Sequence, residues 1–332
     1  MTTAKSTIVK DRVTVGTMAS GRNVSVPYMI HCGAADGPCL WINAAVHGDE
    51  INGVIAAIEF FKYLEALSIA GCVIVTPVAN VLALEERRKT TLHDGLDMDQ
   101  TFPGRPDGFA TERVAHALFR DFGTTADVIV NLHTLGTAYD AEPYAVYKQH
   151  VDHDENDLLK RISCFEPTVA CRMPVNDAPG ELRGNIAGAL DYQGLLSGAQ
   201  AFMIELGAGG RLERPAISSG VDGLIRLASD LGILKGRDVD TGERAIKLVK
   251  VTAREHVLAH AGGFYDAQAR PGTVLPAGEP FGVTRDVFGD VVDQRCLDEP
   301  CWVIANRRDP VVHTGDRMAF VATAWEDVEI VG

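Results

Sequence analysis

Leu40-Trp41-Ile42-Asn43-Ala44-Ala45-Val46-His47-Gly48-Asp49-Glu50 runs from an apolar stretch straight into a His-x-x-Glu pair. The apolar part (40–46) reads as a strand. Behind it, 49–67 carries Ile51, Val54, Ile55, Ile58, Phe61 and Leu64 three and four residues apart, the spacing of a helix packed on a sheet. An imidazole and a carboxylate held at that junction can grip one zinc ion, which makes a metal-dependent hydrolase the first reading. By itself the pair is chance-prone, because most such spacings are solvated surface pairs.

The pattern repeats outward. Further apolar runs at 73–78, 128–132 and 201–206 alternate with amphipathic stretches at 111–122 and 218–231, the texture of an α/β sheet covered by helices. Ser218 or Ser219 is the expected N-cap of the last helix. After the polar stretch 236–243 the chain breaks into short β-branched runs punctuated by Gly262-Gly263, Pro271-Gly272 and Phe288-Gly289-Asp290. The expected organisation is a catalytic α/β domain over 1–244 and a small all-β domain over 245–332.

Composition narrows the function. The chain has 332 residues, 46% hydrophobic and 23% charged, with no apolar run near the roughly 20 residues a membrane span needs. The opening MTTAKSTIVKDRV has no apolar core, so no secretory signal is read and the cytoplasm is the expected compartment. A formal charge of -14 disfavours nucleic acid and leaves a small molecule as the expected partner, with a homo-oligomer open. The seven cysteines include no C-x-x-C pair, so reduced thiols are expected rather than a disulfide framework.

Two residues elsewhere give the His-x-x-Glu pair company. His133 follows the run Val128-Ile129-Val130-Asn131-Leu132, which puts it at a strand's carboxyl end, where α/β folds place ligand crevices. Two histidines and a glutamate are a catalytic zinc set that leaves a position open for water. Glu205 ends the run Ala201-Phe202-Met203-Ile204; a carboxylate there is costly to bury and is a general-base candidate.

With these residues the chain resembles the aspartoacylase and succinylglutamate desuccinylase family, within the zinc carboxypeptidase superfamily. The resemblance spans most of the chain. It rests on Val46-His47-Gly48-Asp49-Glu50, on Asn80 with the downstream run Asp94 to Gly104, on Asn131-Leu132-His133-Thr134, and on Ile204-Glu205-Leu206-Gly207. It implies a mixed central sheet flanked by helices, one zinc ion held by His47, Glu50 and His133, and Glu205 as the base acting on water. The implied reaction is hydrolysis of the amide of a small N-acylated amino acid or amine.

The chain also departs from that family. Where members commonly read Asp-Leu-Asn-Arg, with Asn and Arg binding a substrate carboxylate, this chain has Asp97-Met98-Asp99-Gln100. Loss of the planar cation and gain of an anion imply a substrate whose anchor is neutral or cationic. A family arginine that polarises the carbonyl falls nearest Lys89, with Arg87 and Arg88 competing.

Other signals are weaker. His256 and His260 lack the glutamate of a metalloprotease helix, and His150 and His153 sit in a polar run; neither pair is taken as a metal site. Gly207-Ala208-Gly209-Gly210 lacks dinucleotide-loop spacing and reads as a tight turn, against an oxidoreductase. A metallocarboxypeptidase and a non-catalytic metal- or ligand-binding module are the alternatives to a deacylase. Gln100 speaks against the first and Glu205 against the second.

Overall fold

The computed structural model describes residues 6–175, 185–234 and 246–330. From the N-terminus come β1 (Thr7–Thr17), β2 (Asn23–Cys32), β3 (Ala35–Ala44), α1 (Asn52–Glu65), β4 (Ala70–Thr76), α2 (Val81–Glu86), α3 (Ala110–Leu118) and β5 (Val128–His133). There follow β6 (Tyr139–Ala141), β7 (Tyr144–Tyr147), α4 (Glu155–Ser163), β8 (Ala170–Arg172), α5 (Leu190–Leu196), β9 (Gln200–Glu205) and α6 (Arg214–Asp230). The C-terminal part is all strand: β10 (Ile246–Leu258), β11 (Gly263–Ala267), β12 (Thr273–Leu275), β13 (Gly282–Arg285), β14 (Val291–Asp293), β15 (Cys301–Arg307), β16 (Val311–Val312) and β17 (Arg317–Ile330).

Strands β4, β3, β5 and β9 lie side by side and parallel, with β2 antiparallel beyond β4 and β7 antiparallel beyond β9. The sheet is therefore mixed. Because β3 sits between β4 and β5, the chain leaves it towards one neighbour and later returns on its other side, which opens a crevice above the carboxyl ends. Both faces are covered. Leu40, Ile42 and Ala44 pack among Phe60 and Phe61 of α1 and Leu224 and Leu227 of α6, while Trp41 joins Leu118, Phe122 and Leu195 on the opposite side. That is why the run is apolar throughout rather than alternating.

On its far side β8 pairs in parallel with β10, and β17, β15 and β12 continue the same thirteen-stranded sheet. A separate four-stranded sheet has the order β14-β13-β11-β16. The boundary expected at 244/245 lies outside the described residues.

Two expectations need correction. Helix α6 begins a turn earlier than Ser218, with Glu213 at the cap position and Pro215 in its first turn, where a missing N–H costs nothing. Cysteine pairing also differs, since Cys32 and Cys72 form a disulfide. They stand opposite each other on β2 and β4, a register that their separation of 40 residues does not reveal. The other five cysteines take no part in a disulfide.

Candidate active site

His47 lies just past the end of β3, and the backbone there is held tightly. Ala45 takes a left-handed conformation (φ 48°), while Ala79 and Asn80 donate their N–H groups to the carbonyls of Ala44 and Ala45, each at 2.9 Å. Gly48 donates to the Arg88 carbonyl at 2.7 Å. A side chain at position 48 could not fit, because its Cβ would lie 2.0 Å from the Ala83 carbonyl oxygen. This packing turns His47 back over the strand end towards Glu50.

His47 Nδ1 is 2.8 Å from Glu50 Oε1, and His133 Nδ1, from the last residue of β5, is 2.9 Å from Glu50 Oε2. One ligand atom from each of the three buried residues lies within 4.8 Å of the others. The Thr134 N–H also donates to Glu50 Oε2 at 3.0 Å. Each imidazole carries a carboxylate behind it: His47 Nε2 is 2.9 Å from Asp97 Oδ1, and His133 Nε2 is 3.7 Å from Asp99 Oδ1. Such partners orient the rings so that both Nδ1 atoms face inward.

Burial alone would lower the His47 pKa, but the Glu50 charge and the Asp97 contact raise it to about 9. His133 is driven well above its ordinary value by Glu50 and Asp99 against the same burial penalty. Asp97 resists its own burial and is held at about 2 by His47 and Lys89. One buried carboxylate, Glu50, and two partly buried ones, Asp97 and Asp99, converging on two imidazoles thus call for positive charge, and a divalent cation among two nitrogens and one carboxylate satisfies that demand. The donor set fits zinc with a position left open.

Glu205 ends β9 directly beside His133 in register. Its Oε2 is buried without a hydrogen-bond partner, and burial, then the charge of Glu50, raises its pKa to about 7. A carboxyl group in that state can take up and release a proton near neutrality.

The remaining sequence candidates separate clearly. Of the three basic residues, Lys89 lines the cavity and pairs with Asp97 at 3.3 Å. Arg87 closes α2 in a left-handed conformation, and both it and Arg88 are exposed and lie outside the cavity lining, so of the three competing residues Lys89 is the one placed there. Gln100 borders the cavity, but its amide bridges Asp97 Oδ2 (3.3 Å) and the Asn185 N–H (3.0 Å), so it braces two loops. Asp99 Oδ1 accepts from Asn131 at 3.0 Å as well as facing His133, whereas Oδ2 has no hydrogen bond among the described residues.

Several wall residues were not foreseen. The cavity, of about 290 Å³, is also bordered by Tyr144, Lys148, Arg254 and His256. Tyr144 and Val146 are alternate residues of β7, and Lys148 continues that spacing just past the strand's end, held by Asp191 at 2.7 and 2.9 Å with both wholly buried. Arg254-x-His256 on β10 follows the same strand rule. Alternation along a strand is the signal that marks these residues, whereas the His256 and His260 spacing read as a helix does not.

Comparison with known proteins agrees with this geometry. Residues 36–231 match the model of the succinylglutamate desuccinylase/aspartoacylase catalytic domain. The N-alpha-acetyl-L-2,4-diaminobutyric acid deacetylase of Halomonas elongata is 27% identical over 298 residues, covering 88% of this chain and 84% of that protein. Among solved structures, a succinylglutamate desuccinylase/aspartoacylase from Rhodobacter sphaeroides superimposes with a TM-score of 0.80 at 23% identity, over 98% of this chain and 97% of that one. The product-bound ectoine utilization protein EutE of Ruegeria pomeroyi gives 0.78 at 21%, over 96% and 95%. With the domain match spanning more than half its length, and the same fold throughout, the chain belongs to the succinylglutamate desuccinylase/aspartoacylase family.

Proposed function

We propose that the protein is a zinc-dependent amidohydrolase that removes the acyl group from a small N-acylated amino acid or amine bearing a second, cationic amino group. The observation that carries the reaction type is the unpartnered, buried Glu205 carboxyl beside the His47, Glu50 and His133 cluster. His47, Glu50 and His133 would hold the ion; when bound, zinc supplies Lewis-acid polarisation of the carbonyl and lowers the pKa of water towards roughly 7. Glu205 accepts the proton of the attacking water and passes it to the departing amine. Lys89 adds positive charge on the wall where the carbonyl oxygen becomes anionic.

The open Oδ2 of Asp99 supports a cationic substrate, since an ammonium can complete that carboxylate and a second carboxylate would be repelled by it. The Halomonas relative, whose name specifies an acetylated diamino acid, points the same way. A cavity near the lower end of the roughly 300–1,000 Å³ range of small-molecule pockets suits such a compound.

Metal analysis of the purified protein, followed by hydrolysis assays on wild type and Glu205→Gln, tests the reading. One equivalent of zinc, chelator-sensitive turnover of N-acetyl-2,4-diaminobutyrate and its loss in Glu205→Gln are expected. Turnover indifferent to both chelator and variant would defeat the mechanism, and selective hydrolysis of N-acetylaspartate would defeat the cationic substrate.

A further inference from the structure

Glu205 is the last residue of β9, in register with His133 on one side and with Tyr144 on the other, and both pairings end there. The turn that follows, Gly207-Ala208-Gly209-Gly210, is tied to the segments that carry the candidate metal ligands. The Leu206 N–H donates to the His133 carbonyl at 2.8 Å, the Leu135 N–H to the Gly207 carbonyl at 2.9 Å, and the Gly209 N–H to the Gly136 carbonyl at 2.8 Å. The Gly210 N–H reaches the carbonyl of Asp49, between His47 and Glu50, at 2.8 Å.

Two side chains hold the rest of the turn. Asn52, wholly buried as the first residue of α1, donates from Nδ2 to the carbonyls of Leu206 (2.9 Å) and Ala208 (3.3 Å), and its Oδ1 accepts the Glu213 N–H (3.0 Å). Glu213, at the cap of α6, accepts the Ala208 N–H at Oε2 (2.7 Å) while Arg211 Nε donates to its Oε1 (2.8 Å). Gly207 is left-handed (φ 74°), and a Cβ there would lie 2.3 Å from Glu213 Oε2, so glycine is what lets the carboxylate come this close. A carboxamide alone satisfies position 52: aspartate would set a charge against two carbonyls, and leucine would leave two acceptors and a donor unpaired. The candidate ligands have braces of their own, Asp97 behind His47 and Asp99 behind His133. No hydrogen bond reaches the Glu205 carboxyl among the described residues, so packing and the backbone at the strand end set where it stands.

We propose that Asn52, together with Glu213, is a positioning residue that fixes the base Glu205 relative to the metal ligands by locking the turn after β9. Its kinetic consequence rests on the deacylase reading above; the lock itself does not. Misplacing a catalytic group by about 1 Å can lower turnover about 100-fold. Because the ligands are braced separately, release of the turn moves the base and leaves the ion in place.

Asn52→Ala, Glu213→Ala and Glu213→Gln, each compared with wild type, separate positioning from stability alone. In the two alanine variants kcat for N-acetyl-2,4-diaminobutyrate is expected to fall about 10- to 100-fold, with KM within about threefold and one equivalent of zinc retained. Glu213→Gln keeps an oxygen for the Ala208 N–H and is expected to recover most of that loss. Hydrogen exchange read by mass spectrometry needs no turnover: the amides of 206–210 are expected to exchange about tenfold faster in both alanine variants. Glu213→Ala, at a less buried position, carries the comparison if Asn52→Ala does not fold. Unchanged exchange across 206–210, or zinc and activity lost in proportion, would overturn the positioning role. Absence of turnover by the wild type would count against the deacylase reading, while the exchange comparison still decides the lock.

Discussion

Glu205→Gln should stabilise the metal-free protein, and by an amount that depends on pH. The wild-type carboxyl has a pKa of about 7 in the fold against 4.5 for the free group, because burial and the Glu50 charge oppose its ionisation. A raised acid pKa means that folding takes up a proton, so the penalty for holding the carboxylate is absent below about pH 4.5, grows between 4.5 and 7, and is complete above 7. At about 1.4 kcal/mol per unit, the penalty integrates to about 1 kcal/mol at pH 5 and about 3 kcal/mol at pH 8. Glutamine has the same shape and no charge, so the variant avoids it. With an unfolding entropy of roughly 2.1 cal/mol/K per residue over 332 residues, the gain in Tm is about 1 °C at pH 5 and about 4 °C at pH 8. Scanning calorimetry on chelator-treated wild type and variant at the two values measures it. A gain that is the same at both, or larger at pH 5, would refute the assignment of a strained carboxylate to Glu205.

Asp97→Asn keeps the hydrogen-bonding atom behind His47 but removes its charge, and is expected to weaken zinc binding by about 10- to 100-fold in competition with a chromophoric chelator. Unchanged affinity would mean that the His47 contact is incidental. Lys148→Met leaves Asp191 buried without its cation and should cost about 3–5 kcal/mol in urea denaturation, with much of the loss restored in a Lys148→Met/Asp191→Leu double variant. A single variant as stable as wild type would contradict the buried pairing. Gly48→Ala drives a Cβ into the Ala83 carbonyl, so zinc stoichiometry should fall even where circular dichroism reports a folded protein. Full zinc occupancy in that variant would show that the loop relaxes without moving His47.

Much of this molecule follows from local pattern. The run 40–46 is apolar on both faces because β3 is covered on both sides, and the periodicity behind it reports α1 within a few residues at each end. The start of helix α6 is set by Pro215 upstream of the serines that resemble a cap, and the Cys32 to Cys72 link depends on strand register rather than spacing. The family motifs in turn mark His47, Glu50, His133 and Glu205, which the fold brings to adjacent strand ends.

What sequence alone determined, then, is the sheet-and-helix frame and which polar residues stand at its strand ends, since both arise from short-range periodicity and compact motifs. The direction of the outer carboxylates was decided only in three dimensions. Asp99 looked like an anion in an empty anchoring pocket, yet one of its oxygens faces His133 and Asn131 while the other is left open, a division no spacing encodes. The same holds for Arg254 and His256, which reach the cavity because β10 joins the central sheet through β8, a pairing between segments about eighty residues apart. Which charges share a cavity is a property of long-range strand order, and that order is set by packing of the whole sheet rather than by any stretch of it.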